Sequence, residues 1–404
     1  MNELLTVIVQ TSPLPSHPST ALLEALFRSF DRVTHLKECN IFILADGCED
    51  DKHLLDKKGG AAEKNEKRNK SVNYKHGTVS QDTASDYRLH LHLLQNKIDN
   101  QHVPFNSSGN GTIQLLKLPH RHGSARAISA AFEILSVHTP YVLIAQHDNF
   151  FVRDVNYLQQ LINYMEIENT KSWLQCVHFP STATLNYVQK VKRRYGLDIQ
   201  QLCKKAPQDM SLIQHGVFIP LVFWYGRTHI ARTKYYTDKI LCEFTLKAGD
   251  HLEELWGTKQ LNEVLELKKY DDFEKMLATL HATYGNYVFF DIEKVDEQHE
   301  VLYHMSGRKV RAAAPVTSND AVHSDDTESK SENATSLYPQ EKSFTTARRA
   351  MAVVPGLDSI DDGKVKSSKP QTKFRQRCFH CGEKGHSFKF CPQKCMPEIE
   401  TLIL

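Results

Sequence analysis

The chain has 404 residues, room for two or three domains, and a formal charge of only +2. A chain this near neutrality is not a polycation, so any basic surface must be local. No apolar run reaches membrane-span length, and five of the nine cysteines (Cys39, Cys48, Cys176, Cys203, Cys242) are scattered and odd in number, which excludes a disulfide framework.

In chain order, residues 5–10 (LTVIVQ) form a continuous apolar run ending at a Ser/Pro cluster, as a buried parallel strand would. The stretch is too short and too poor in basic flanks for a signal peptide, so cytoplasmic or nuclear residence is expected. Apolar residues at helical spacing follow over 20–30, and 41–45 (IFILA) reads as a second buried strand before Asp46-Gly47. Strand, helix and strand in this order predict an α/β fold with a mostly parallel, nucleotide-binding sheet flanked by helices. Residues 50–85 are polar and without apolar periodicity, and read as a flexible insertion. A helix is expected over 87–98, a strand over 112–118, an amphipathic helix over 125–135 and a buried strand over 141–145. Further strands are expected at 172–180, 217–224, 287–291 and 301–304, with 252–280 largely helical.

The polar residues of the first half fall where strands end, the place at which open α/β sheets bind ligands. In VIVQTSPLP, then ILADGCED, then HRHGSARAISAAFEILSVHTPYVLIAQHDNFF, the chain resembles the GT-A glycosyltransferases, family 2 in particular. The resemblance spans roughly 1–310 once the insertion is set aside. It implies a nucleotide-sugar donor, with Thr11 and Ser12 beside the base and ribose and Asp46 accepting a hydrogen bond from the base. Gly123 and Arg126, opening a helix, would face the diphosphate. Asp148 takes the last place of the family's D-x-D motif, where a carboxylate binds Mn²⁺ or Mg²⁺. The first acid of that motif is replaced here by Gln146, so one carboxylate is fewer, and His147 or His304 could add a ligand.

An inverting transferase also needs a base for the acceptor hydroxyl. In Lys247-Ala-Gly-Asp250-His-Leu-Glu253-Glu254, the first candidate is Glu253, followed by Glu254 and Asp250. Acids in a first helical turn also serve the helix dipole, so that reading stays open. Trp224, Tyr225, Arg227 and His229 could line the acceptor side or belong to the core.

Residues 311–376 are rich in Ser, Asp, Thr, Lys and Pro and read as a disordered linker. Residues 377–395 then contain C-x2-C-x4-H-x4-C. The thiolates of Cys378, Cys381 and Cys391 with the imidazole of His386 complete a tetrahedral shell around structural Zn²⁺. The string resembles the zinc knuckles of retroviral nucleocapsids. Between Lys364 and Lys394 there are nine Lys or Arg residues and one acid, with Phe379 and Phe388 among them. Stacking rings beside cations such as Lys384 and Lys389 suit single-stranded nucleic acid, RNA above all; the other reading is a protein partner.

Two functions compete. One is a metal-dependent glycosyltransferase whose knuckle recruits nucleic acid or a partner. The other is an inactive transferase-like scaffold that binds single-stranded nucleic acid through zinc. A nucleotidyltransferase would want two or three carboxylates around paired metals, and only one stands at the right strand end. Metal ligation supplies about 10–16 kcal/mol of folding free energy in small zinc peptides. A chelator is therefore expected to abolish the structure of 378–391 while leaving the melting of the 1–310 domain unchanged. Calorimetry of the full chain checks this, and coupled loss of both transitions would defeat the linker assignment.

Overall fold

A computed structural model describes residues 1–50, 78–270, 273–291 and 299–305. The 311–376 linker and the 377–395 zinc site, with Cys378, Cys381, His386, Cys391 and the aromatic and basic residues among them, lie outside the described residues, as do residues 51–77 of the insertion.

The sheet is built from β1 (Leu5–Thr11), β2 (Asn40–Ala45), β5 (Ile113–Lys117) and β6 (Tyr141–Gln146), all parallel. Between β2 and β5, the two-residue strands β3 (Glu49–Asp50) and β4 (Thr78–Val79) pair side by side, so the insertion leaves and re-enters the fold at one place. A long excursion costs little once its ends are pinned, because loop-closure entropy grows only slowly with length. Beyond β6 come β7 (Asn149–Phe151), β8 (Cys176–His178), β9 (Lys204–Lys205), β10 (Gly216–Pro220), β11 (His229–Arg232), β12 (Asn286–Asp291) and β13 (Leu302–His304). Nine of these form one sheet in the order β5-β2-β1-β6-β11-β8-β12-β10-β9, while β7 and β13 pair separately. The sheet is mixed: β11 runs antiparallel to both β6 and β8, and β10 antiparallel to β12.

Of the parallel strands, β1, β2 and β6 are buried on both faces, which is why they read as unbroken apolar runs, whereas β5 lies at the sheet edge and is only half-buried. Leu5, Val7 and Val9 of β1 face one core with Leu22, Leu26 and Phe27 of α1 (Ala21–Ser29) and Leu94 and Ile98 of α2 (Gln81–Asp99). Ile8 faces the opposite core with Ile128, Ala131 and Phe132 of α3 (Ser124–Leu135). The chain thus winds one way through α1 and α2 and the other way through α3. The reversal falls between β1 and β6, opening a crevice beyond their carboxyl ends.

Helix α2 begins six residues before the expected 87, inside the segment read as insertion, because the Ser80 hydroxyl accepts the Thr83 amide as an N-cap. The strand expected over 172–180 shrinks to Cys176–His178; the Thr170 hydroxyl, bonded to the carbonyls of Tyr164, Met165 and Ile167, holds the preceding residues in a turn. Unassigned from sequence were α4 (Leu158–Glu166) and α5 (Tyr187–Tyr195), although Leu158, Leu161, Ile162 and Met165 carry plain helical spacing.

Five histidines are buried in the two cores: His17, His90, His178, His229 and His281. Burial, first of all, holds their rings neutral, with pKa values lowered to about 2 for His17 and about 4 for His90, His229 and His281, and well below the usual value for His178. Below pH 6.5 the unfolded chain binds protons that these folded rings refuse. Stability is therefore expected to fall as pH drops from 6.5 toward 4, by up to about 1.4 kcal/mol per pH unit for each histidine. Urea midpoints measured between pH 7.5 and 5 check this, and a flat profile would count against it.

Candidate functional site

Asp46 follows β2 directly and turns its carboxylate back over the end of the sheet. One oxygen accepts the His122 amide and the other the Gly123 amide, each at 2.8 Å. Burial raises the carboxyl pKa, and these two amides, with the nearby His122 ring, offset part of that rise. Tyr87 of α2 donates its hydroxyl to the Asp46 carbonyl at 2.9 Å. The loop 120–123 is therefore fastened across the ends of β1 and β2. A Cβ at Gly47 would meet the His120 carbonyl carbon at 2.4 Å, so only glycine allows the loop to come this close. The sequence reading assigned Asp46 to a nucleotide base; in the folded chain both of its oxygens already hold backbone.

The loop is gripped from its other side as well. Gly123 has φ +77°, and a Cβ there would lie 2.4 Å from the Gly249 nitrogen. Gly249 donates its amide to the His122 carbonyl, and the Asp250 carbonyl accepts the Ala125 amide at 3.1 Å. One of the first-turn amides of α3 is thereby used by Asp250. The Asp250 carboxylate itself accepts the Lys247 amide at 2.7 Å and closes the 247–250 turn. Arg126 is exposed on the first turn of α3 with no hydrogen bond or ion pair among the described residues. Thr11 is buried and Ser12 half-buried at the end of β1.

Across the crevice, Asp148 follows β6. Its carboxylate accepts the Asn149 side-chain amide at 2.9 Å and meets His304 Nε2 at 3.0 Å. The β7–β13 ladder brings this about, since its register sets His304 opposite Asn149. Burial pushes the Asp148 pKa up, but His304, His147 and Arg227 outweigh it and hold the carboxyl below its usual value. His147 is turned the other way, with its ring Nδ1 3.1 Å from the Gln10 carbonyl. Asn149 is wholly buried and ties the row together: besides Asp148, its amide donates to Gln146 Oε1 at 3.1 Å, and its oxygen accepts Arg227 at 3.1 Å.

Arg227 leads to the third part. The amide of the neighbouring Gly226 donates to Glu253 Oε2 at 2.8 Å. A Cβ on Gly226 would stand 3.0 Å from that oxygen and 3.4 Å from Gln146 Nε2, so a side chain there would press on both groups. Glu253 opens a five-residue π-helical turn, Glu253–Gly257, and is half-buried, whereas Glu254 beside it is exposed. Among the described residues no three His, Cys, Asp or Glu side chains form a metal cluster, and Asp148 and His304 stand as a hydrogen-bonded pair.

The fold thus gathers Asp46, Gly123, Asp148 and Glu253 along one edge. Trp224 and His229, weighed for the acceptor side, are 2 % and 1 % exposed and belong to the core, while Tyr225 and Arg227 remain half-buried at the surface. Asn149 and Gly226 were missed by sequence reasoning. An Asn just past a buried apolar run is a weak signal for such a hub, and Gly226 carries none.

No family model and no curated protein matches the sequence. Solved structures similar in fold include TarS of S. aureus, at 11 % identity over 64 % of this chain and 33 % of that one, with a TM-score of 0.34. A mannosyltransferase from Pyrobaculum calidifontis in complex with GDP-Man and Mn²⁺ is 11 % identical over 59 % of this chain and 47 % of its own, with a TM-score of 0.28. UDP-glucose pyrophosphorylase complexed with UDP-glucose is 8 % identical over 64 % and 88 %, with a TM-score of 0.31. The chain spans about a third and about half of the length of the first two. These likenesses are remote, and the site stands on its own residues.

Gly123→Ala is expected to lower stability by about 1 kcal/mol or more from the left-handed backbone alone, before the collision with Gly249 is added. Thermal unfolding checks this. A neutral result would mean that the loop is not held as described.

Proposed function

We propose that the chain is a metal-dependent glycosyltransferase that takes its sugar from a nucleotide-sugar donor. The observation that carries this reading is the convergence, on one sheet edge, of the hydrogen-bonded Asp148–His304 pair, the 120–123 loop with Arg126 beside it, and the separate carboxylate of Glu253. Asp148 and His304 present an oxygen and a nitrogen 3.0 Å apart at the end of β6. A hard divalent ion that keeps several waters and substrate phosphates in its shell needs few protein ligands, and this pair fits Mn²⁺ or Mg²⁺ on that basis. When bound, such an ion neutralises charge on the departing nucleoside diphosphate.

The protein's own residues supply the rest. Arg126, on the first turn of α3 beside the loop that Asp46 holds in place, supplies the guanidinium that faces the diphosphate. Ser12 lies beside the ribose. Asn149 and Arg227 keep Asp148 oriented and ionised. Glu253, steadied by the Gly226 amide, takes the proton of the acceptor hydroxyl as that oxygen bonds to the anomeric carbon and the bond to the diphosphate breaks. Beyond this domain, the tail would hold structural Zn²⁺ through Cys378, Cys381, His386 and Cys391 and bring RNA or a protein partner to the enzyme.

The inactive-scaffold reading draws support from one feature. Gln146 stands where the family has an acid, and its side-chain oxygen is already bonded to Asn149. Melting of the full chain against a panel of nucleotide-sugars, with and without Mn²⁺, separates the two. A metal-dependent rise is expected for one nucleotide class, lost in Asp148→Ala. Glu253→Gln should keep that rise and lose about 10²–10⁴-fold in turnover. No shift with any donor would favour the scaffold.

A further inference from the structure

Helix α5 reads YVQKVKRRY, four cations and no acid in nine residues. Two of the four are accounted for. Lys192 pairs with Asp198 at 2.7 Å, and Lys190 donates to the carbonyls of Thr182 and Ala183. Arg193 and Arg194 are exposed and make no hydrogen bond or ion pair among the described residues. Neighbouring cations repel one another. Burial first, and Arg193 second, push the Lys190 pKa down. Both guanidiniums stand in the last turn of α5, where the helix dipole favours cations, and neither has a carboxylate partner among the described residues.

Their position gives this charge a meaning. Tyr187 of α5 donates its place in the fold to the strand-end segment: its hydroxyl accepts the Val222 amide at 3.2 Å, and its ring meets that of Tyr225 at 6.2 Å. Tyr225 immediately precedes Gly226, whose amide is bonded to Glu253. Arg194 lies seven residues after Tyr187 and three after the buried Val191, on the same helical stripe. Its guanidinium sits 5.4 Å from the centre of the Tyr195 ring. Tyr195, Tyr225 and Phe223 are half-buried around this end of the helix, with Phe223 and Tyr225 edge to face at 5.1 Å. Tyr225 lies within electrostatic reach of both Arg194 and Glu253, so Arg194 flanks the Glu253 side of the row, with Arg193 one residue before it and near Lys190, whereas Arg126 and the 120–123 loop flank the Asp46 side.

We infer that Arg193 and Arg194 bind a phosphate ester carried by the acceptor, so that the transferase acts on a phosphorylated acceptor. This rests on the assignment of Glu253 as the base. A donor's diphosphate is met by the Asp148 pair and the α3 loop, which leaves the α5 cations for a second anion. Arginine is suited to this, since its fork takes two phosphate oxygens at once, and the neighbouring tyrosines offer faces to the sugar that bears the phosphate.

The experiment uses the full chain and its Arg193→Glu/Arg194→Glu variant, both charges being exposed and outside the catalytic row. Hexose 6-phosphate, a six-nucleotide single-stranded uridylate, and the uncharged hexose and uridine are titrated by calorimetry. A nucleoside diphosphate with Mn²⁺ serves as the donor-site control. Binding of at least one phosphate ester is expected, weakened about tenfold or more in the variant, with no binding of its neutral counterpart. Preference for the hexose phosphate or for the uridylate tells a small acceptor from a nucleic-acid one. Equal binding of the phosphate probes by both proteins, or neutral probes binding as tightly as charged ones, would overturn the inference. The nucleoside diphosphate should bind both proteins alike. Its failure to bind the wild type would instead strike at the transferase assignment and leave the phosphate comparison readable.

Discussion

The clamp between Asp46 and the amides of His122 and Gly123 is the contact on which the rest of the edge depends. A carboxylate that accepts two backbone N–H groups gains about 1.5–3 kcal/mol from each, and removing it would leave two half-buried donors without their partner. The clamp ties the end of β2 to the start of α3, although 76 residues separate Asp46 from His122. Gly123 then seats against Gly249, which places the turn leading to Glu253. One carboxylate thus sets the 120–123 loop and, through that loop, the segment that carries Glu253.

Asn149 has the matching place on the other side of the crevice. It is a neutral amide with both donor and acceptor capacity, so it can serve Asp148, Gln146 and Arg227 together, which a carboxylate could not. Gln146, in place of an acid, fits this arrangement. Its oxygen accepts from Asn149, whereas a second carboxylate there would raise the pKa of Asp148 by like-charge repulsion. The lowered pKa of Asp148 follows from a surrounding of His304, His147 and Arg227, cations or potential cations gathered from three distant parts of the chain.

Charge alternates along the same edge. Arg126 borders the Asp46 end, and the α5 arginines border the Glu253 end, with the acids between them. A donor and an acceptor that both carry phosphate would meet this pattern from opposite sides. In that arrangement the long-range field favours the two anions over neutral competitors, and the short-range row of Asp148, Asn149, Gly226 and Glu253 fixes their orientation.

The inner parallel strands were legible because β1, β2 and β6 are buried on both faces, so that 5–10, 41–45 and 141–145 could be nothing but apolar runs. Their polar ends, Thr11, Asp46 and Asp148, were legible for the complementary reason that the sheet stops there. The C-x2-C-x4-H-x4-C string is likewise read from fourteen contiguous residues, and it lies outside the described residues. What the tertiary structure alone decided is which ends meet. The antiparallel strand β11 is four residues long and leaves no distinctive pattern, yet it carries Arg227 and Gly226 to the edge. The β7–β13 register, set by backbone pairing between segments some 150 residues apart, brings His304 to Asp148. Local pattern reports what a residue needs from its surroundings, burial or water. Partners such as Asp46 with Gly123, or Glu253 with Gly226, are set by long-range packing, which no local window contains.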